Sequence, residues 1–335
     1  MRPRRAPSLA VAGVLAMVTL SACAGVQSAL APASTAAERI ALWWWIMFWI
    51  AFAVALLVLA LLLTGLARSG PRARPDITPR PDRGWMTLIV LGGIVAPVVV
   101  LGGIMGFNLV TEGAIAASAR QPEMDVLVIG HQWWWEVNYP KAGFRTANEI
   151  HIPAGIPVKI KLTSADVIHS FWVPELHGKI DLIPGRTNTL VLEADKPGIY
   201  RGQCAEYCGL QHAKMAFLVF ADPPEQYAAW LKGQQAAAAP PATPRQERGQ
   251  QVFLSSACVY CHTVRGTNAS GKLGPDLTHL ASRSTLGAVS VTNSRGNLGG
   301  WIVNSQSIKP GNRMPPMVLD ADDLQALLDY LQSLD

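Results

Sequence analysis

Three hydrophobic patterns follow one another along the chain. Residues 40–67 and 84–111 carry no charged side chain from end to end, and each exceeds the roughly 20 apolar residues a helix needs to cross a bilayer. Tryptophans open both stretches, Trp43, Trp44 and Trp45 in the first and Trp85 in the second, as expected where an amphipathic ring meets the membrane boundary. The connection between them holds Arg68, Arg72, Arg74, Arg80 and Arg83, so the positive-inside rule places it in the cytoplasm. This predicts a two-helix transmembrane hairpin, with everything after Glu112 on the outer face. From Met124 the pattern changes to short β-branched and aromatic runs (MDVLVIGHQWWWEV, IPVKIKLT, TNTLVLEA, MAFLVF) broken by Pro and Gly, which predict an antiparallel β-sandwich or barrel of about a hundred residues. Helical spacing returns in PPEQYAAWLKGQQ; AAAAPPATPRQ then reads as a semi-extended linker before a last segment.

The N-terminus has a basic start (Arg2, Arg4, Arg5), a short apolar run and Leu20-Ser21-Ala22-Cys23. That run is too short to span, so it predicts an export leader. Its ending resembles a bacterial lipobox, in which the cysteine becomes the lipid-bearing first residue; an ordinary leader with an incidental cysteine is the plainer alternative. Half of the 335 residues are apolar and the net charge is +5, yet no basic run interleaves with aromatics. Nucleic acid is therefore excluded as a partner.

The chemistry concentrates in CAEYCGLQHAKM, which places Cys204, Cys208, His212 and Met215 in one loop between strand-like segments. A disulfide would account for the cysteines, but not for a histidine and a methionine four and seven residues beyond Cys208. Thiolates, imidazole and thioether together are a ligand set for copper, and a poor one for calcium, magnesium or hydrolytic zinc. One imidazole cannot serve two metals, and DVIHSFWVP upstream offers His169.

His169, Cys204, Glu206, Cys208, His212 and Met215 resemble the binuclear CuA site of subunit II of the haem-copper cytochrome c oxidases. The likeness takes in the two-span hairpin and GHQWWWEV, where the family has Gly-His-Gln-Trp-aromatic-Trp, and covers about residues 35–222. It implies a cupredoxin-like sandwich in which Cys204 and Cys208 bridge two coppers. His169 and His212 would each complete one copper, with Met215 and the Glu206 carbonyl as weak outer ligands. The Glu206 side chain would reach a magnesium or manganese ion shared with subunit I, and Trp133 would be the residue through which electrons arrive. His131, His151, His177 and His279 have no soft neighbours in sequence and read as structural.

The last segment carries CVYCH, with Cys258, Cys261 and His262 in the attachment pattern of c-type haem. A thioredoxin-like pair would need a βαβ context, and zinc two more soft ligands; both are missing from the segment. Met314 and Met317 compete for the sixth iron position. Met314 is favoured because Pro315 and Pro316 stiffen its loop, and because class I cytochromes c place their methionine before a proline. GPDL resembles those cytochromes too, and implies that the Pro275 carbonyl orients His262. The five cysteines then divide into Cys23 for lipid, two for copper and two for haem.

The expected architecture is a multidomain membrane protein: leader 1–22, transmembrane hairpin within 23–111, cupredoxin-like domain 122–222, linker 233–244 and a small all-α cytochrome c domain 245–335. This combination resembles subunit II of the haem-c-fused bacterial cytochrome c oxidases, proton-translocating enzymes of the inner membrane. It implies subunit I and other oxidase subunits as partners, and a cytochrome or quinol-oxidising complex as upstream donor. Electrons would pass from haem c to copper and on to subunit I, where oxygen is reduced. The linker would tether the haem as a donor at high effective concentration. The alternatives are the CuA subunit of a nitric oxide reductase, and a membrane copper-delivery lipoprotein.

Overall fold

The structure is a computed structural model and describes residues 25, 27–68, 83–118, 122 and 124–335. The leader, Cys23 and most of the arginine-rich connection lie outside the described residues.

Helix α1 (Thr35–Arg68) starts at Ser34, whose hydroxyl accepts the Ala37 N–H at 3.1 Å, an N-cap that satisfies an otherwise orphaned donor. The second apolar stretch is α2 (Arg83–Val90), one π turn over Leu91–Val95 and α3 (Ala96–Ser118). Pro97 explains the interruption, because it has no N–H to continue the i to i−4 ladder, and Gly92 and Gly93 tolerate the wider turn. Thr35–Arg68 and Arg83–Thr111 are both long and apolar enough to cross a membrane. Trp43 meets Phe107 edge-on with ring centroids 4.3 Å apart, joining the two as a hairpin.

The β-rich region is a two-sheet sandwich. One sheet contains β1 (Asp125–His131), β2 (Trp134–Tyr139), β3 (Phe144–Ala147), β5 (Val158–Ser164) and β8 (Asn188–Leu192), in the order β3-β2-β1-β5-β8. The other contains β4 (Glu149–Pro153), β6 (His169–Trp172), β7 (Ile180–Leu182), β9 (Gly198–Cys204) and β10 (Ala216–Asp222), in the order β4-β10-β9-β6-β7. Alternation along β1, β2 and β5 points Val126, Val128, Trp135, Val137, Ile160 and Leu162 into the core, against Phe171, Phe217 and Val219 from the facing sheet. The pairing is not purely antiparallel as the sequence suggests: β1 runs parallel to β5, and β4 parallel to β10. Neither parallel pair is sequence-adjacent, so the chain crosses between sheets instead of turning back on a hairpin.

Helix α4 (Pro224–Gln235) closes the sandwich, with Trp230 stacked on His151 at 4.0 Å. The cytochrome region contains α5 (Pro244–Ser255), the short α6 (Cys258–Cys261), a ribbon of β11 (Thr285–Leu286) and β12 (Val291–Thr292), α7 (Arg295–Ile308) and α8 (Ala321–Leu331). Helices α5 and α8 cross at Gly249, where a Cβ would lie 2.0 Å from the Ala326 carbonyl oxygen; only glycine admits so close a crossing. Around the crossing Phe253, Leu298, Leu327, Tyr330 and Leu331 form an apolar core separate from that of the sandwich.

The Ala/Pro segment is not the free tether that composition suggests. Arg265 donates to the Gln234 and Gln235 carbonyls at 2.5 and 3.2 Å, Ala238 N–H donates to the Arg265 carbonyl at 3.0 Å, and His279 Nε2 reaches the Ala236 carbonyl at 3.1 Å. Each bond fixes a linker backbone group on the cytochrome surface, which removes most of the linker's reach.

Candidate metal and haem centres

Strand pairing gathers the soft ligands at one end of the second sheet. His169 opens β6 and Cys204 ends β9, and the antiparallel register sets Phe171 opposite Cys204. Met215 immediately precedes β10, and its carbonyl accepts the Cys204 N–H at 2.9 Å. The loop between β9 and β10 returns Cys208 and His212 over the same spot. Cys204 Sγ lies 3.7 Å from Cys208 Sγ, 3.9 Å from His169 Nδ1 and 3.1 Å from the Glu206 carbonyl oxygen. Cys208 Sγ lies 3.7 Å from His212 Nδ1 and 3.8 Å from Met215 Sδ. His169, Cys204, Cys208 and Met215 are at most 4% exposed, whereas His212 is half-buried and the Glu206 side chain is exposed.

These donors fit a copper pair. The cysteines are free thiols, and their separation is far beyond a disulfide's, yet it leaves room for metal–thiolate bonds of about 2.3 Å. The two sulfurs hold one proton between them. Hydrogen bonding from Cys208, reinforced by His169 and by backbone groups, brings the Cys204 thiol down to about 3, while that same hydrogen bond, then burial and the charge on Cys204, push the Cys208 thiol up. One thiolate is thus ready in place, with the second released when a cation arrives.

Asp166 is the ligand support that sequence reading missed. Its Oδ1 accepts His169 Nε2–H at 2.8 Å and its Oδ2 accepts the Gln132 N–H at 2.7 Å. This fixes the tautomer that presents His169 Nδ1 to the sulfurs. Burial alone would raise the Asp166 pKa, but the His169 and backbone hydrogen bonds outweigh it and lower it. Its position three residues before His169 is the one sequence signal that could have found it. Trp133 Nε1–H and Gln132 Nε2–H both donate to the Cys208 carbonyl, at 3.0 and 2.9 Å. Gly209, at φ +111°, lets that indole approach, since a Cβ there would meet Trp133 at 3.1 Å. The remaining histidines have other partners. His131 bonds Glu136 at 3.1 Å, His151 bonds Asp222 at 2.7 Å, and the ring nitrogens of His177 and His279 meet backbone carbonyls.

At the second centre Cys258 and Cys261 are free and bracket the single turn of α6. His262 Nδ1–H donates to the Pro275 carbonyl at 2.7 Å, which turns Nε2 to face away as a ligand. Gly274 leaves a cradle beside the ring, where a Cβ would lie 2.7 Å from His262 Cε1. Burial holds His262 below the usual imidazole range, so the neutral form that iron requires is present. These residues fit a covalent haem. Of the two methionines, Met317 packs against the cytochrome core and Met314 does not. The Met314 backbone is stapled instead, with N–H donating to Asn312 Oδ1 at 2.8 Å and the carbonyl accepting Ser305 Oγ at 2.7 Å.

Residues 142–221 match the family described as cytochrome c oxidase subunit II, periplasmic domain, and residues 246–335 match the cytochrome c family. The chain joins a cytochrome c oxidase subunit II periplasmic domain to a cytochrome c domain. Cytochrome c oxidase subunit 2 of Alkalihalophilus pseudofirmus is 41% identical over 210 residues, which are 62% of this chain and 60% of that protein. Subunit 2 of Bacillus sp. strain PS3 is 34% identical over 221 residues, 62% of each chain. The chain thus matches about three-fifths of the length of these curated relatives. The crystal structure of the periplasmic domain of subunit II from Bradyrhizobium japonicum is 31% identical, with 95% of that chain and 34% of this one aligned at a TM-score of 0.33.

Two predictions belong to this subunit II site. Met215→Leu is expected to shift the copper redox potential by some tens of millivolts while both coppers stay, because a thioether here would give copper only a weak bond. Redox titration with metal analysis checks it, and loss of copper would assign Met215 a primary role. The second concerns Lys309, 2% exposed, whose ammonium burial brings its pKa down to about 7, with nearby Cys208 opposing and Lys214 assisting. Between pH 7 and 9 the unfolded chain still holds this proton and the folded chain has released it, so folding stability rises with pH. The gain is about 2 kcal/mol over that interval. The unfolding midpoint of the wild type should therefore climb relative to Lys309→Met as pH rises from 7 to 9.

Proposed function

We propose that the chain is the electron-receiving subunit of a haem-copper oxidase in a bacterial inner membrane. Residues 258–262 hold a covalent haem, the sulfur and imidazole cluster holds CuA, and a partner subunit I reduces oxygen to water. The observation that carries this reading is the pair of free, buried thiols flanked by His169, His212 and Met215 in a chain that also holds a complete haem attachment turn. Bound at these positions, haem and the copper pair supply one-electron redox chemistry.

The protein's part is to hold the ligands and exclude water. Cys204 and Cys208 share their charge across the centre, which favours a delocalised electron with little rearrangement. Asp166 locks His169 and Pro275 locks His262, and the buried Met215 covers the sulfurs. With protein donors on every side, no position is left for a substrate. Met314 fits the sixth iron position, because its backbone is fixed while Met317 is engaged in the core. Trp133, bonded to the Cys208 carbonyl, fits the point where electrons reach copper. The exposed Glu206 side chain is free to meet a magnesium or manganese ion at the border with subunit I. Cys23 would add a lipid anchor to the two spans, with the sandwich and cytochrome domain on the periplasmic face. The partner enzyme would couple oxygen reduction to proton translocation.

Purification of the membrane complex, with copper, haem and oxygen consumption measured on one sample, tests the reading. Two coppers and one haem c per copy of this chain, with turnover from a reduced cytochrome or from quinol through a quinol-oxidising complex, are expected. Copper that leaves rapidly to a chelator under native conditions would indicate delivery instead, and reduction of nitric oxide in place of oxygen would indicate the reductase.

A further inference from the structure

The cytochrome domain meets the sandwich through polar contacts, two of which bury an ionisable side chain. Lys309, at the end of α7, extends out of the cytochrome domain and donates to the Trp133 carbonyl at 2.7 Å and to the Gly287 carbonyl at 3.1 Å. Glu149 of β4, 5% exposed, projects the other way, and its Oε1 accepts Ser284 N–H, Ser284 Oγ–H and Thr285 N–H at 2.8, 2.6 and 3.2 Å. Glu149 takes these partners, and Lys309 its shorter bond, from the opposite domain, so separating the domains strands the carboxylate and leaves the amine with Gly287 alone.

Lys309 also completes a path. Met314 N–H donates to Asn312 Oδ1 at 2.8 Å, Asn312 Nδ2 donates to the Lys309 carbonyl at 2.7 Å, Lys309 Nζ donates to the Trp133 carbonyl, and Trp133 Nε1–H donates to the Cys208 carbonyl at 3.0 Å. Four hydrogen bonds and the intervening covalent bonds thus run from the methionine loop of one domain to a copper-site cysteine of the other. Arg313, bonded to Gln132 Oε1 at 2.5 Å, holds the same two loops together from the surface.

We infer that Lys309 is the positioning residue for electron transfer between the two domains, seating the methionine loop on the turn between β1 and β2 that carries Trp133, in one fixed pose locked by Glu149. The electron-transfer consequence rests on the function proposed above; the seat itself does not. In the step, one electron leaves ferrous haem and the oxidised copper pair gains it. No bond forms or breaks. Lys309 carries the buried crossing between the domains, beside the surface crossings of Arg313 to Gln132, Gln211 to Pro310 and Lys214 to Ile308, so removing it unseats the methionine loop and weakens the electronic coupling without changing either potential.

The seat is read by amine labelling. The full-length chain is treated with an N-hydroxysuccinimide ester, and peptides are quantified by mass spectrometry against exposed Lys272. Lys309 should react at least ten times more slowly than Lys272, and in Glu149→Ala it should become comparable to it. Equal labelling in the wild type, or no change in Glu149→Ala, overturns the seat whether or not copper is bound. In the loaded complex the haem-to-copper step should be independent of solvent viscosity, and in Lys309→Met it should slow at least tenfold with both potentials and metal contents unchanged. A wild-type rate that falls with viscosity shows a swinging domain and overturns the inference. So does an unchanged rate in Lys309→Met. Should Lys309→Met fail to assemble, the labelling and viscosity measurements on the wild type decide alone.

Discussion

Cys204→Ser is expected to empty the copper centre and to stop oxygen consumption by the assembled complex. Cys204 is the sulfur held as a thiolate, through hydrogen bonding from Cys208 and His169 in a pocket where it is 3% exposed. A serine hydroxyl there stays protonated and offers a hard oxygen where soft sulfur is required. Loss of a group that merely supports a ligand already costs roughly 10–100-fold in metal affinity, so loss of a sulfur that would hold the metal directly should exceed that range. The result should be no binuclear signal, at most one copper per chain and turnover reduced by well over a hundredfold, while haem content and the unfolding midpoint of the cytochrome domain hold. Metal analysis and oxygen electrode traces on the same preparation check this. Two coppers retained would remove Cys204 from the ligand set.

Trp135→Ala should be the most damaging substitution outside the ligands. Three consecutive tryptophans occupy residues 133–135, and period-two alternation sends the middle one outward. Trp134 stacks on His131 at the half-exposed face, whereas Trp135 is fully buried, with Phe217, Phe171 and His169 around it at centroid distances of 5.0, 6.1 and 6.1 Å. Its indole N–H points at the Met215 carbonyl, 3.4 Å away, and its backbone N–H bonds Asn148 Oδ1 at 2.9 Å. Truncation leaves a cavity behind His169 and Met215 at a cost of about 3–5 kcal/mol. The sandwich should unfold at a markedly lower denaturant midpoint, and copper should be lost with it. Trp134→Ala, which opens no comparable void, serves as the control. Equal midpoints for the two variants would contradict the packing described here.

What could be read from the chain, and what could not, divides by the range of the interaction. The spans are local composition, and the haem turn and copper loop are local spacing, so Cys258, Cys261, His262, Cys204, Cys208 and His212 stand out unaided. His169 needed the further argument that one imidazole cannot serve two metals. Asp166 has no pattern of its own; only folding shows that its carboxylate fastens the ligand three residues later. Lys309 is harder still. In sequence it is a lysine before Pro310 and Gly311 at a helix end, where a solvated ammonium is the usual outcome, and its burial depends on a carbonyl 176 residues away. The parallel pairing of β1 with β5 escaped for the same reason, since alternation marks a strand without naming its neighbour. The Ala/Pro segment was read as extended from composition, yet Arg265 and His279 decide where it lies. Pro97 was visible inside an apolar span, but its π turn follows only once the missing donor is traced through the helix.

The two apolar cores share no side chain, and that separateness bears on how the polypeptide matures. On the function proposed above, thioether formation at Cys258 and Cys261 and metal loading at Cys204 and Cys208 would be incompatible reactions, one consuming thiols that the other must keep unmodified. Domains that each complete their own interior can undergo these reactions on independent schedules.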